Sequence, residues 1–280
     1  GSYTRWHTGP WIVKSETAIS VPGYATGRNE IIPSSNPAYA YNSAGNAGEN
    51  TSGSAFTVSS QFPKGYKAFY LMKHEISQNL YRDFLNTLTT TEAGAHCAAV
   101  AVGTARFCDS AGSKTPVTQQ NIKYIDTVPT FGCDADDDET VNESTDVEWL
   151  AMNFMAWKEL TAFLDWAALR PMTELEYEKA ARGPSTATTI ANEYPWGNAT
   201  SYSPATTIYN VDAINASVNQ GNVNNSAVTL GYPFRVGIFA TSAATRITAG
   251  AGYYGNLDLA GNVAEMVVSV GNPEGRVFQG

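Results

Sequence analysis

The chain is poor in the residues that most often announce a chemistry. It has three cysteines, Cys97, Cys108 and Cys133, gathered in one region. That number allows one disulfide with a thiol left over, or none, and spacing does not decide the connectivity. Its three histidines, His7, His74 and His96, are scattered, with no H-E-x-x-H and no i, i+4 partner to build a zinc site. No G-x-S-x-G elbow and no C-x-x-C occurs. Apolar runs fall short of the roughly 18 residues of a membrane helix, so no membrane span is expected. No secretory leader opens the sequence, and its first residues, Gly1-Ser2, fit a processed product. Charge is scarce as well. Only 15% of residues are charged, and 17 basic against 26 acidic side chains leave a net of -9. With no basic field to gather phosphates, nucleic acid is excluded as a partner, and a cation or a neutral polar ligand suits the chain better.

What the sequence has is bulk, aromatics and small polar residues. At 280 residues and 43% hydrophobic it can bury a large core. Its abundance of Ser, Thr, Asn, Gly and Ala, with 11% aromatics, suits a loop-rich extracellular or cell-surface protein. Asn-x-Ser/Thr acceptors stand at Asn50, Asn142, Asn198, Asn215 and Asn224, and they matter only in a eukaryotic product.

Residues 1–61 alternate short apolar pieces with a Gly/Asn/Ser tract and read as a strand-and-loop lead-in that is part of the same domain as the body over 62–280. The run Ala68 to Lys73 predicts a buried strand. Ser77 is placed to cap a helix whose apolar face is Leu80, Tyr81, Phe84, Leu85 and Leu88. A polar, cysteine-bearing insertion spans 89–148, long enough to be a functional loop or a subdomain. A second helix is expected over about Phe154 to Leu169, stopped by Arg170-Pro171. In the third helix Thr173 and Glu176 form a capping box, and Gly183-Pro184 closes the far end. Few helices among many short irregular segments argue for an α+β fold.

Four motifs in order add a family. They are the helix with Trp157 and Trp166, the stretch Leu169 to Gly183, Tyr194-Pro-Trp-Gly-Asn198, and Tyr254-Gly-Asn-Leu-Asp-Leu-Ala-Gly-Asn-Val-Ala-Glu265. Upstream, Phe69 to Gln78 with Tyr81 and Phe84-Leu-Asn86 is similar to the same family's opening strand and helix. Together these resemble formylglycine-generating-enzyme-like domains, and the resemblance implies a C-type-lectin-type fold. The family spans copper-dependent oxidases, iron-dependent sulfoxide synthases, non-catalytic surface proteins and retroelement-diversified binders, so fold alone does not name the activity.

The resemblance also implies a cation at the Gly-Asn-x-x-Glu turn. Carried over, its ligands are the Asp258 carboxylate, the Gly261 and Val263 carbonyls and the Glu265 carboxylate. Calcium, which takes six to eight oxygens, is the expected ion, and a turn capped by its own carboxylates is the alternative. The acidic run from Cys133 to Glu139 places Asp134, Asp136 and Asp138 as in an EF-hand. It has Glu139 where glycine is needed and Thr145 where a bidentate glutamate is needed, so it reads as a solvated loop. Glu174 and Glu178 share a helix face as dipole-favoured first-turn acids, and Gly250 to Gly255 matches a dinucleotide fingerprint in letters without the helix it requires. His74 reads as a satisfied core histidine.

Formylglycine generation in the family uses a cysteine pair after the turn, and Met266 to Gly280 contains no cysteine. Enzymatic activity is therefore disfavoured. The expected function is a non-enzymatic, exported ligand-binding, display or adhesion protein that binds a protein or glycan. The alternatives are a structural subunit of a surface appendage, with homo-oligomeric assembly, and a copper-dependent oxidase whose cysteines lie beyond Gly280. Gly275 to Gly280 looks like the start of the family's closing segment, which is expected to continue.

Overall fold

The structure is a computed structural model and describes residues 2–3, 11–13, 15–21, 56–96, 121–126, 130–136, 138, 140–184, 193–210, 215–225, 233–270 and 273–280. In chain order the elements are β1 (Ser2–Tyr3), β2 (Trp11–Ile12), β3 (Ile19–Val21), β4 (Phe56–Val58), α1 (Gln78–Leu85), α2 (Thr90–His96), β5 (Ile122–Asp126), β6 (Thr130–Cys133), α3 (Trp157–Trp166), α4 (Glu174–Arg182), β7 (Ile208–Tyr209), β8 (Ser217–Val218) and α5 (Pro273–Arg276). The strands pair in antiparallel twos, β1 with β2, β3 with β4, β5 with β6 and β7 with β8. This is a mixed α+β architecture of short elements held together by loops.

The three expected helices form, each for a local reason. In α1 the 3.6-residue period buries Tyr81, Phe84 and Leu85, while Leu80 stays exposed. Ser77 stands at the N-cap position, yet its hydroxyl donates to the Asn79 side chain instead of accepting from the helix. Helix α3 is shorter than expected. It is entered through Glu159, whose carboxylate accepts the Ala156 N–H at 3.1 Å, and it ends as Ala168 turns to φ 55°. In α4 the capping box is complete. Thr173 Oγ1 accepts from Glu176 N–H at 3.2 Å, and Glu176 accepts from Thr173 N–H at 3.0 Å. The same Glu176 carboxylate takes both terminal nitrogens of Arg170, at 2.6 and 2.8 Å, in a bidentate pair. Gly183 closes the helix at φ 86°, where an added Cβ would lie 2.4 Å from the Tyr253 ring.

The main core packs α1 and α3 on β5 and β6. Tyr81, Phe84 and Phe163 meet with ring centroids 5.4 to 6.1 Å apart, joined by Ile122, Phe131 and Cys133. The span 89–148 is thus not set apart as a separate unit, because its β5–β6 hairpin supplies one wall of the core. Cys133 is buried there as a free thiol, whereas Cys97 and Cys108 lie outside the described residues. Part of the lead-in is tied down by one carboxylate. Glu16 accepts the backbone N–H groups of Lys64, Tyr66 and Lys67 at 2.9 to 3.0 Å.

One expected element is missing. Ala68 to Lys73 is not a strand, and Tyr70 is 93% exposed. The composition is that of a strand, but no described strand forms a ladder with it, and its backbone bonds only at the Met72 and Lys73 carbonyls among the described residues, to Asn256 and Leu257.

The Thr173 hydroxyl also donates to the Pro63 carbonyl at 2.8 Å, so it serves a cap and a tertiary contact at once. Thr173→Ala is expected to lower unfolding free energy by about 1–2 kcal/mol, read as a lower urea midpoint with an unchanged slope.

Candidate functional site

The Gly-Asn turn is built on left-handed backbone. Asp258, Gly261 and Asn262 have φ of 61°, 82° and 60°. Asparagine and aspartate tolerate this region better than most residues. At Gly261 a Cβ would sit 2.3 Å from the Asn224 carbonyl oxygen, so no larger residue fits. Asn262 then links four segments. Its Oδ1 accepts from Phe234 N–H at 2.6 Å and from Asn224 Nδ2 at 3.0 Å, and its Nδ2 donates to Glu75. Glu75 Oε1 in turn accepts the Val263 N–H at 3.0 Å.

Glu75 reaches this position because the chain beside it is pinned. Met152 N–H bonds to the Ile76 carbonyl at 2.7 Å and Gln78 N–H to the Leu150 carbonyl at 2.9 Å. Asp258 is buried and accepts the Gly237 N–H at 2.6 Å. Glu265 is half-buried, and its Oε1 is sealed from solvent with no hydrogen-bond partner. Burial pushes all three carboxyls above the usual carboxylate range. Glu75 is raised further by the neighbouring Asp258 charge, and Asp258 is restrained by Gly237 N–H and Arg235. Glu265 is pushed up to about 8, with Asp258 adding to the effect of burial.

Beside this turn lies a cavity of about 950 Å³. The polar residues lining it include Glu75, Asn262, Glu265, His74 and the paired Arg170 and Glu176. All five methionines of the sequence, Met72, Met152, Met155, Met172 and Met266, line it. Apart from Met152 and Met155, which are neighbours in one segment, they come from separate places in the chain, so no local sequence signal could have gathered all of them. Unbranched thioether side chains adapt to irregular shapes, and such walls recur at binding surfaces of broad specificity.

The predicted residues fall out unevenly. Asp258 and Glu265 do share one site, joined by Glu75, which the sequence reading did not single out. The signal for it was faint, an acidic residue shortly after an apolar run, beyond Lys73 and His74, and two places before the Ser77 cap. His74 is not a satisfied core histidine. It is half-buried, and its Nδ1 has no partner because the Gly237 backbone and the cavity surround the ring. Glu174 and Glu178 serve the fold. Glu174 accepts from the Ser269 hydroxyl and the Val270 N–H, and Glu178 pairs with Arg182 at 2.8 Å. Asn224, one of the glycosylation-type acceptors, is 2% exposed and cannot carry a glycan in the folded chain. In the acidic loop, Asp134, Asp136 and Asp138 come within 4.8 Å of one another, but Asp134 already pairs with Lys123 at 2.8 Å. No helix of the described residues follows Gly250 to Gly255 until α5, so that stretch offers no pyrophosphate seat.

The family profile of the sulfatase-modifying factor enzyme 1-like domain (FGE-sulfatase) matches residues 41–280. The chain belongs to this family. The match begins inside the segment read as lead-in and runs through α1, α3, α4 and the Gly-Asn turn, so the cavity and the neighbouring Glu75, Asp258 and Glu265 cluster lie wholly within the FGE-sulfatase-like domain. No curated protein and no solved structure gives a significant match.

The raised carboxyls make stability depend on pH with a definite sign. Below the ordinary value of 4.5 both folded and unfolded chains hold the Glu265 proton. Between 4.5 and about 8 the unfolded chain releases it and the folded chain keeps it, so stability falls as pH rises. The slope from one such group is at most about 1.4 kcal/mol per pH unit. Urea unfolding from pH 4.5 to 8.5 is expected to show a shallower decline in Glu265→Gln than in the native protein, and parallel curves would contradict the assignment.

Proposed function

We propose that this FGE-sulfatase-like domain is a non-catalytic ligand-binding module, exported and displayed at a cell surface on a C-type-lectin-type scaffold, whose ligand enters the methionine-lined cavity. The observation that carries this reading is the cavity itself, large, mainly apolar and floored by a few convergent polar groups, the arrangement typical of ligand sites. Of the expected protein and glycan ligands the apolar wall favours protein, since a glycan calls for more polar partners than this wall offers.

The described thiol chemistry supports binding over oxidation. Copper-dependent formylglycine generation needs reactive thiolates. Among the described residues only Cys133 is present, and burial in the core pushes its thiol up to about 12, so it stays protonated at neutral pH.

The expected calcium is carried forward as a proposal on Asp258, Gly261, Val263 and Glu265. Glu265 Oε1 is the oxygen free to take an ion. Asp258 Oδ2 already accepts Gly237 N–H and both Glu75 oxygens are engaged, so the backbone carbonyls of Gly261 and Val263 and water would complete the shell. Bound calcium raises the melting temperature and chelator lowers it; identical melting curves with calcium and with chelator would remove the ion from this turn.

Two measurements test the binding reading. Incubation with copper and a sulfatase-type cysteine peptide should leave the peptide unchanged in mass, and an environment-sensitive apolar dye should bind one site per chain and bind more weakly to Met155→Gln. Formylglycine in the peptide, or no dye site, overturns it.

A further inference from the structure

Methionine makes up five of the 280 residues, and all five stand among the 28 residues that line the cavity. Met152 is 4% exposed and belongs to the main core, with Met72 and Met155 packed against it. Met72, Met155, Met172 and Met266 are half-buried, so an oxidant that enters the cavity meets their side chains. Leucine would supply the same apolar wall. The thioether differs from it in one chemical respect, because its sulfur takes up an oxygen atom and becomes polar.

A sulfoxide oxygen is a strong acceptor, and the lining has few donors to give it. Arg170 commits its terminal nitrogens to Glu176 and to the Pro171 carbonyl, and the Asn262 amide donates to Glu75. His74 Nδ1, which has no partner, can serve one oxygen at most. The other oxygens are satisfied by water, so a wall that shed water becomes one that holds it. Thiolates, the usual target of the same oxidants, do not compete from the described residues. Cys133 is buried in the core with its thiol pushed up to about 12, whereas a thioether reacts without ionising.

We propose that the methionine wall is an oxidative modification site, that its substrate is a hydroperoxide, and that sulfoxide formation there switches ligand binding off. This rests on the reading of the cavity as the ligand site. The methionine sulfur attacks the terminal oxygen of the hydroperoxide, an S–O bond forms and the O–O bond breaks. Sulfur gives up two electrons, and the remaining oxygen takes the hydroxyl proton and leaves as an alcohol, or as water from hydrogen peroxide. Methionine sulfoxide reductases, drawing on a dithiol, return the thioether and restore binding. The four half-buried sulfurs react before Met152, so the wall changes character while the core beneath it keeps its packing.

Hydrogen peroxide, applied after accessible thiols are alkylated and removed before measurement, tests it. Peptide mapping locates the sulfoxides, and titration with the apolar dye reads the cavity. Sulfoxide is expected at Met72, Met155, Met172 and Met266 before Met152. Dye affinity is expected to fall at least about tenfold, with the far-ultraviolet circular dichroism unchanged, and to recover fully after reductases of both stereospecificities have acted. Methionines that resist peroxide, an affinity unchanged by the four sulfoxides, or a loss that the reductases do not reverse overturns the proposal. With Met72→Leu, Met155→Leu, Met172→Leu and Met266→Leu together, dye affinity, whatever its starting level, is expected to ignore peroxide, and a fall there overturns the proposal too. The unaltered protein decides the matter where that variant does not fold. The dye also separates this failure from the other: a dye site that survives four sulfoxides sinks the switch and keeps the cavity as a ligand site, while no dye site on the untreated protein sinks both.

Discussion

Glu75 and the turn at Asn262–Val263 are separated by nearly 190 residues, and their hydrogen bonds bring the chain's opening helix and its last loops to one point. Asn262 uses both ends of its amide. The oxygen accepts from Phe234 and Asn224, and the nitrogen donates to Glu75. A buried amide with a missing partner would cost free energy comparable to the bonds it makes, so the network favours complete formation. Through Phe234 the link continues to Ala151, and through Leu150 to Gln78 at the start of α1. Among the described residues each sheet has two strands, and this side-chain network does the joining that a larger sheet would otherwise do.

The same clamp creates the electrostatic character of the site. Drawing Glu75, Asp258 and Glu265 together away from water disfavours their ionisation, and each is raised for that reason first. The Glu75 and Asp258 carboxylates that close the turn have hydrogen-bond donors, whereas Glu265 keeps a solvent-sealed oxygen without one.

Local signals were legible wherever their causes were local. Thr173 and Glu176 form the box that their spacing announced, and Gly183 ends the helix because the chain needs a positive φ there. The apolar period of α1 was correct for Tyr81, Phe84 and Leu85 and failed for Leu80, which lies at the margin of the buried face. Ser77 holds the cap position without making the cap bond, because the neighbouring Asn79 oxygen competes for its hydroxyl. Ala68 to Lys73 was misread for a different reason. Strand propensity needs a partner to be realised, and the described structure places a cavity there.

Sequence by itself determined the α+β class, the helices of the middle third, the family and the Gly-Asn turn, since caps, periodicity and left-handed backbone are decided within a few residues. Tertiary structure alone decided that the β5–β6 hairpin belongs to the main core, that His74 sits unsatisfied at a cavity wall, and that Glu75 completes the carboxylate cluster. It also gathered five methionines from four stretches of the chain. These are convergences of residues far apart in the chain, and such contacts depend on the packing of the whole molecule, which no short window of sequence contains.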